Sequence, residues 1–365
     1  MDLNPTLRFV FVFRFCVFVL WFGSAVLVPL AHADQSSRLS FHGYLTQAWA
    51  ESSDEEILGI PTDGTFDYRI MALQCRYAMS DEGEFVVQFS HEGLGDDPLG
   101  DLRSDVELDW AFYRHKVGKE SALQVGRSPI PWGIYNEIRD VGVVLPFYRP
   151  HDSVYGDGSF STETLDGVIF SHTAYPGNGW TLDLDLYVGE WDLIDLTLQE
   201  GKAREVIGGQ FWLTTPLEGL RLGFGARNYE VESPGQPKDN FDQWIASLEG
   251  RRGPATFRAE WTEGRFTGVS YEAWYAELTV EATERLSLHA GVQFADLELP
   301  VGPATADVEI NDETIVGIGW AWTPQALIKL ETHWVEGNPL RPSPTGAIIA
   351  PIDTHYTILS FSTGF

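Results

Sequence analysis

The segment Thr354–Phe365, THYTILSFSTGF, constrains the fold more than any other stretch, because it alternates up to the last residue of the chain. Counting back from the terminal aromatic, Thr363, Phe361, Leu359 and Thr357 share one side, while Ser362, Ser360 and Tyr356 share the other. A period of two is a β-strand. A strand with a greasy side, left as an open edge, templates aggregation. It therefore has to pair, and the natural partner is the first strand of the folded chain. A sheet whose last strand meets its first is a closed barrel.

The amino-terminal end is of a different kind. Residues 1–33 carry Arg8 and Arg14, then an apolar run from Cys16 to Leu30, then Ala31-His32-Ala33 before Asp34. This is the order of an export signal and its cleavage site. A membrane-anchoring helix is the rival, and Pro29 and the immediate small-residue site argue against it. Two segments are expected, a signal peptide over 1–33 and one folded domain over 34–365. Loss of Asp2, Arg8 and Arg14 takes the formal charge from −29 to −30. Cys75 is then the only cysteine, so no internal disulfide can form. Nothing after residue 33 approaches the roughly 18 consecutive apolar residues of a membrane-spanning helix.

Alternation recurs along the rest of the chain. Sixteen strands are expected, the first over Leu39–Trp49 and the second over Phe66–Tyr77, with the last closing the count. On the seventh, Trp180, Leu182, Leu184, Leu186 and Val188 alternate with Thr181, Asp183, Asp185 and Tyr187. On the fourth, Val106, Leu108, Trp110 and Phe112 alternate with Glu107, Asp109, Ala111 and Tyr113. Arg69 and Arg76 of the second strand have opposite parity, which requires a bulge or a rim position. The connections alternate in length, and the long ones follow odd-numbered strands. A soluble sandwich has no reason to sort its loops this way. A sixteen-stranded antiparallel transmembrane barrel does, with short turns at one rim and long loops at the other. Trp49, Trp180, Trp212, Trp244, Trp261, Trp320, Trp322 and Trp334 fall near strand ends, where aromatic girdles sit.

The leader, the sixteen strands, the long third connection and the terminal Phe365 together resemble the Gram-negative outer-membrane porins. Gly126–Val141, GRSPIPWGIYNEIRDV, is similar to a stretch found in little-characterised proteobacterial porin-like proteins. The resemblance implies an outer-membrane location and passive diffusion of small hydrophilic solutes or ions, with no cofactor and no chemical step. It implies further that the connection over 128–162 folds into the lumen. It also implies that Tyr356, Leu359, Phe361 and Phe365 form the closing strand read by the barrel-assembly machinery. Homotrimers are common in that group, and no nucleic-acid partner is expected.

Selectivity is then expected where the third connection meets the wall. Its charges are Glu137, Arg139, Asp140, Arg149 and Asp152, and facing them are Arg76, Arg221, Arg227, Arg258 and Lys329. Opposed fixed charges filter ions. The plainer reading of Arg139-Asp140 is a local pair that holds the loop's shape. Inward arginines favour anions, whereas Glu51, Asp54, Glu55, Glu56, Asp63, Asp96, Asp97, Asp101, Asp307, Glu309, Asp312 and Glu313 are expected in outer loops, where an acidic mouth concentrates cations. Weak cation selectivity is the resulting expectation. Such a mouth can also hold divalent ions against lipopolysaccharide phosphates, although a solvated rim explains it more simply. Two other readings stay open. One is an occluded structural or adhesive barrel. The other is a barrel hydrolase using His151-Asp152-Ser153, or His289 and His333 with Glu331, for which no motif speaks.

Overall fold

The computed structural model describes residues 38–97, 106–156, 162–194, 198–266, 268–301, 304–341 and 348–365. The expected leader over 1–33 and Asp101 lie outside them. The first strands are β1 (Leu39–Ser52), β2 (Thr65–Ala78), β3 (Gly83–Leu94), β4 (Glu107–Val117) and β5 (Ser121–Pro129). After a long connection come β6 (Thr164–Gly177), β7 (Trp180–Ile194), β8 (Glu200–Thr214), β9 (Arg221–Glu232) and β10 (Asp239–Arg252). They are followed by β11 (Ala255–Phe266), β12 (Val269–Glu281), β13 (Leu286–Val301), β14 (Ala304–Thr323) and β15 (Ala326–Gly337). A small hairpin, β16 (Leu340–Arg341) with β17 (Ile348–Ile349), precedes β18 (Ile352–Gly364).

β1 to β15 and β18 form one closed antiparallel barrel of sixteen strands, each paired with its neighbours in sequence. The seam lies between β1 and β18, in register from Tyr44↔Gly364 to Ser52↔Tyr356. Beyond it, Gly43 and Phe365 exchange both backbone hydrogen bonds, at 3.1 and 3.0 Å. Closure is what allows such a sheet to lie in lipid, because every ladder group is then paired. Among the described residues no helix is long and apolar enough to cross a membrane.

The two sides of the sheet differ as a lipid-facing wall requires. Leu186, Val188, Phe211, Phe224, Leu278, Leu288, Val316, Ile318 and Leu330 are exposed on the outward side. Their neighbours in sequence, among them Tyr187, Gln210, Glu277, His289 and Glu331, are buried on the inward side. In lipid the exposed apolar area carries no hydration penalty, whereas in water it would be unfavourable by roughly 25 cal/mol per Å².

Three expectations need correction. In β4, Phe112 stands opposite Val86, a buried inward residue, and Trp110 opposite Gln88, while Tyr113 pairs with the outward Phe85. A register shift at the Gln88/Phe89 step, beside Asp109, swaps the faces that strict alternation assigns. Trp212 is likewise inward, beneath the Arg221 guanidinium at 4.4 Å, and not part of a girdle. The acidic run around Asp307–Glu313 is no loop, since β13 and β14 pair from Leu286↔Trp320 through Val301↔Ala304. Arg69, by contrast, meets one of its two expected options. No register shift marks β2 against β3, and Arg69 sits toward the loop rim with Asp67 and His91.

The inward side is not uniformly polar. Trp191, Tyr229, Phe241 and Phe266 follow one another across β7, β9, β10 and β11 with ring separations of 4.6, 4.9 and 5.6 Å. They join Ile130, Trp132, Tyr155, Tyr271 and Leu297 in one buried apolar cluster. Residues of the third connection and inward residues of the wall thus share one packed cluster.

Candidate functional site

The connection from Ile130 to Glu163 is closed at its base. Ile130 N–H donates to the Glu163 carbonyl at 2.8 Å, and the Asn136 amide donates to the carbonyls of Ile130, Thr162 and Glu163 at 2.9 to 3.3 Å. Within it, a single 3₁₀ turn spans Asn136–Ile138 and a four-residue helix, α1, spans Asp152–Tyr155. From this base the segment runs along inward-facing side chains of many strands.

The first contact is at Gly133, where φ is +63° and a β-carbon would stand 2.7 Å from the Glu260 carboxylate. Only glycine tolerates that backbone and that approach. Its N–H donates to Gln210 of β8 at 2.6 Å, and the neighbouring Trp132 ring lies under the Arg227 guanidinium at 4.2 Å. Glu260 of β11, 2 % exposed, accepts from Ile134 N–H at 2.9 Å, from Tyr275 at 2.8 Å, and from the Tyr155 and Ser247 hydroxyls. A buried carboxylate is tolerated when it is surrounded by donors in this way.

Further contacts follow around the wall. Glu277 of β12 accepts from the Tyr135 hydroxyl and from Arg258 at 3.1 Å, with His151 Nε2 at 3.0 Å. Ser153 N–H donates to Gln293 of β13 at 2.8 Å. On β15, Lys329 is 1 % exposed and donates to the carbonyls of Gly142 at 3.1 Å, Leu145 at 3.3 Å and Phe147. Two residues on, Glu331 accepts Tyr148 N–H at 2.8 Å. His333 lies between Glu331 and Glu313, and Glu313 also accepts from Tyr356 at 3.0 Å. Arg149 lies over the mutually tilted rings of Tyr68 and Tyr148, bringing in β2.

The charges expected of the third connection thus divide. Arg139 turns inward on itself, pairing with Glu163 at 3.0 Å and with the Tyr155 carbonyl. Asp152 begins α1, whose Gly156 N–H it accepts through its carbonyl at 2.8 Å. Glu137 and Asp140 stand on the side turned toward β3, β4 and β7. Glu137 reaches water yet is ringed by protein. That confinement, then Asp185, pushes its carboxyl up to about 7, against the opposing pull of Arg114. Burial, then Glu163 and Glu92, hold the Asp140 carboxyl above its ordinary range as well.

The wall cations divide too. Arg227, Arg258 and Lys329 meet the segment and are spent on holding it. Arg221 pairs with Glu249 at 2.9 Å, and Arg76 with Glu84 at 3.4 Å, and neither touches the segment among the contacts described. Spacing along the chain did not reveal the phenol–carboxylate pairs Tyr155–Glu260 and Tyr135–Glu277, whose partners are 105 and 142 residues apart. The stretch Gly126–Val141 now has a physical reading. It holds Gly133, Tyr135 and Asn136, which fasten the segment, and Glu137, which is exposed.

No family model matches the sequence, and no curated protein sequence matches it significantly. Solved structures do match. OmpT of Vibrio cholerae, in its trimer form, superposes with a TM-score of 0.59 at 12% identity, over 90% of this chain and 99% of that one. OmpF of Salmonella typhi, in complex with daunomycin, gives 0.62 at 10% identity, over 90% and 97%. The anion-selective porin of Comamonas acidovorans gives 0.55 at 10% identity, over 90% and 99%. Such identities carry the fold and nothing finer. This chain is a sixteen-stranded transmembrane β-barrel with the fold of the outer-membrane porins.

Proposed function

We infer that the chain forms a narrow, off-centre aqueous channel in the outer membrane, through which small hydrophilic solutes pass by diffusion, without a cofactor or a chemical step. The reading rests on one observation above all. The segment over 130–163 is fastened to β8, β11, β12, β13 and β15, while among the described residues Glu137 and Asp140 make no hydrogen bond to the wall and turn toward β3, β4 and β7. The segment then lies within the lumen and leaves a passage on one side only. The carboxylates there make cations the favoured ions, weakly, because Arg114 opposes them. Likeness to a protein known in a trimer form supports assembly as a homotrimer. The closing strand, with Tyr356, Leu359, Phe361 and Phe365, is the part presented to the barrel-assembly machinery, and the acidic outer rim faces lipopolysaccharide.

Planar bilayers test this directly. Discrete conductance steps, with a reversal potential on the cation side in a salt gradient, are the expected result. A clear chloride preference would overturn the selectivity. An occluded barrel is the second reading, favoured by the depth to which Trp132, Tyr135, Phe147, Tyr148 and Tyr155 are buried. It predicts no steps at all.

Selectivity should also depend on pH. Glu137 is neutral below its raised value and anionic above it. Cation preference should therefore grow between pH 6 and pH 8, and E137Q should flatten that rise. A wild-type profile in E137Q would remove Glu137 from the passage.

A further inference from the structure

Tyr148 and Ser153 of the connecting segment are held by the two ends of one buried polar network. Tyr148 N–H donates to both oxygens of Glu331, at 2.8 and 3.0 Å. Ser153 N–H donates to Gln293 at 2.8 Å, and the Gln293 amide donates in turn to Glu313 at 2.5 Å. His333 joins the two halves, with Nδ1 against Glu313 and Nε2 3.2 Å from Glu331. The Tyr356 hydroxyl donates to the same Glu313 oxygen at 3.0 Å, and its ring stacks on the imidazole at 4.2 Å. His333, Glu313 and Glu331 are buried, so no bulk water stands in for a missing donor. An ionised carboxylate accepts and never donates. A neutral imidazole has one N–H, and contacts to two carboxylates need two. The ring is the more basic partner, so the additional proton belongs on it.

We propose that His333 is a doubly protonated imidazolium and the residue that positions the Tyr148–Ser153 stretch, which loosens when alkali removes one proton. The inference rests on the channel reading, because a loose stretch there fluctuates across the passage. Among the described residues three histidines are buried, and His333 is the one set between two carboxylates. His151 has Glu277 alone, at 3.0 Å, and His289 has the Thr279 and Ser287 hydroxyls at 3.0 and 2.8 Å, which serve a neutral ring. Other ionisable groups surround the triad. Lys329 acts on Glu331 from β15, Tyr356 lies on β18, and His151, Arg149 and Asp152 act from the segment. His289 of β13 shares the Phe147 ring with His333, at 5.9 and 6.3 Å. Lys329 is engaged with three segment carbonyls, and Arg149 lies over the Tyr68 and Tyr148 rings. Loss of the proton leaves a bare nitrogen facing a carboxylate oxygen and adds one negative charge to the buried triad. Glu331 and Glu313, which hold the stretch directly and through Gln293, then repel each other.

Two measurements on the full-length protein test this. In detergent, isotope-labelled histidine is read by NMR, with the His333 signals assigned through their contact with the Tyr356 ring. Both His333 ring nitrogens should carry protons at pH 7. In planar bilayers, wild-type closures should become roughly tenfold more frequent, reversibly, between pH 7 and pH 10, through the loss of one charge-assisted contact. H333Q removes the charge at similar size, so it should flicker at the higher rate already at pH 7 and change little as the pH rises. A neutral His333 ring at pH 7, H333Q as quiet as wild type, or a full rise with pH persisting in H333Q would each overturn the proposal. The NMR arm needs no variant, so it still decides where H333Q folds poorly. Should wild type show no steps at any pH, the channel reading falls by itself, and the labelled ring still decides whether the imidazolium stands.

Discussion

K329A should convert a quiet, narrow channel into a noisy and wider one, with conductance several-fold above wild type. Lys329 gathers the carbonyls of Gly142, Leu145 and Phe147 around one buried ammonium, at the point where the segment crosses β15. Alanine leaves those three acceptors unpaired. It also leaves the buried Glu331 carboxylate without the nearby positive charge of Lys329. The cost is about 3 kcal/mol, so the ratio of seated to released segment falls roughly a hundredfold. The seam between β1 and β18 does not use Lys329, so the barrel itself should persist. Single-channel recording and thermal unfolding in detergent read the two effects separately. R76A is the matched control, since its half-exposed pair with Glu84 is worth less than about 1 kcal/mol. Wild-type conductance in K329A would mean that the segment is held elsewhere.

E260A should release the other end of the same segment. Four donors converge on Glu260, and alanine strands the Tyr155 and Tyr275 phenols, the Ser247 hydroxyl and the Ile134 amide together. The expected cost is about 3–5 kcal/mol. E260Q keeps one acceptor oxygen and the shape of the side chain, so it should fall between alanine and wild type. Limited trypsin digestion supplies the readout, because Arg139 is the segment's one basic residue not followed by proline and it is held in the fold. Cleavage after Arg139 in E260A, with the barrel fragments still associated, is the expected outcome. Equal resistance in E260A and wild type would remove Glu260 as an anchor.

These two residues show where sequence reasoning stops. Lys329, Glu331, Glu260 and His333 were assignable to the inward side, because alternation along one strand is local and a single residue sets the phase of the rest. Their partners were not assignable, because the Gly142 carbonyl and the Lys329 ammonium, 187 residues apart, meet only in the folded chain. The same locality explains the failures. One bulge at Asp109 reverses phase in β4 and turns Trp110 and Phe112 inward, and nothing near that residue announces it. At the outer end of β13 and β14 the acidic residues suggested a solvated loop. There the strands continue past the apolar belt, where charged outward side chains meet water and cost nothing.

The chain's own pattern determined the architecture: sixteen crossings, a closing strand that ends in Phe365, and a third connection too aromatic to be left in water. Folding alone decided what that connection does with its charges. It put Arg227, Arg258 and Lys329 to work as fasteners and turned Glu137 and Asp140 away from them, toward β3, β4 and β7. Strand periodicity is written residue by residue, and so it can be read. A hydrogen bond between side chains more than a hundred positions apart exists only as a distance in space, and no run of neighbours encodes it.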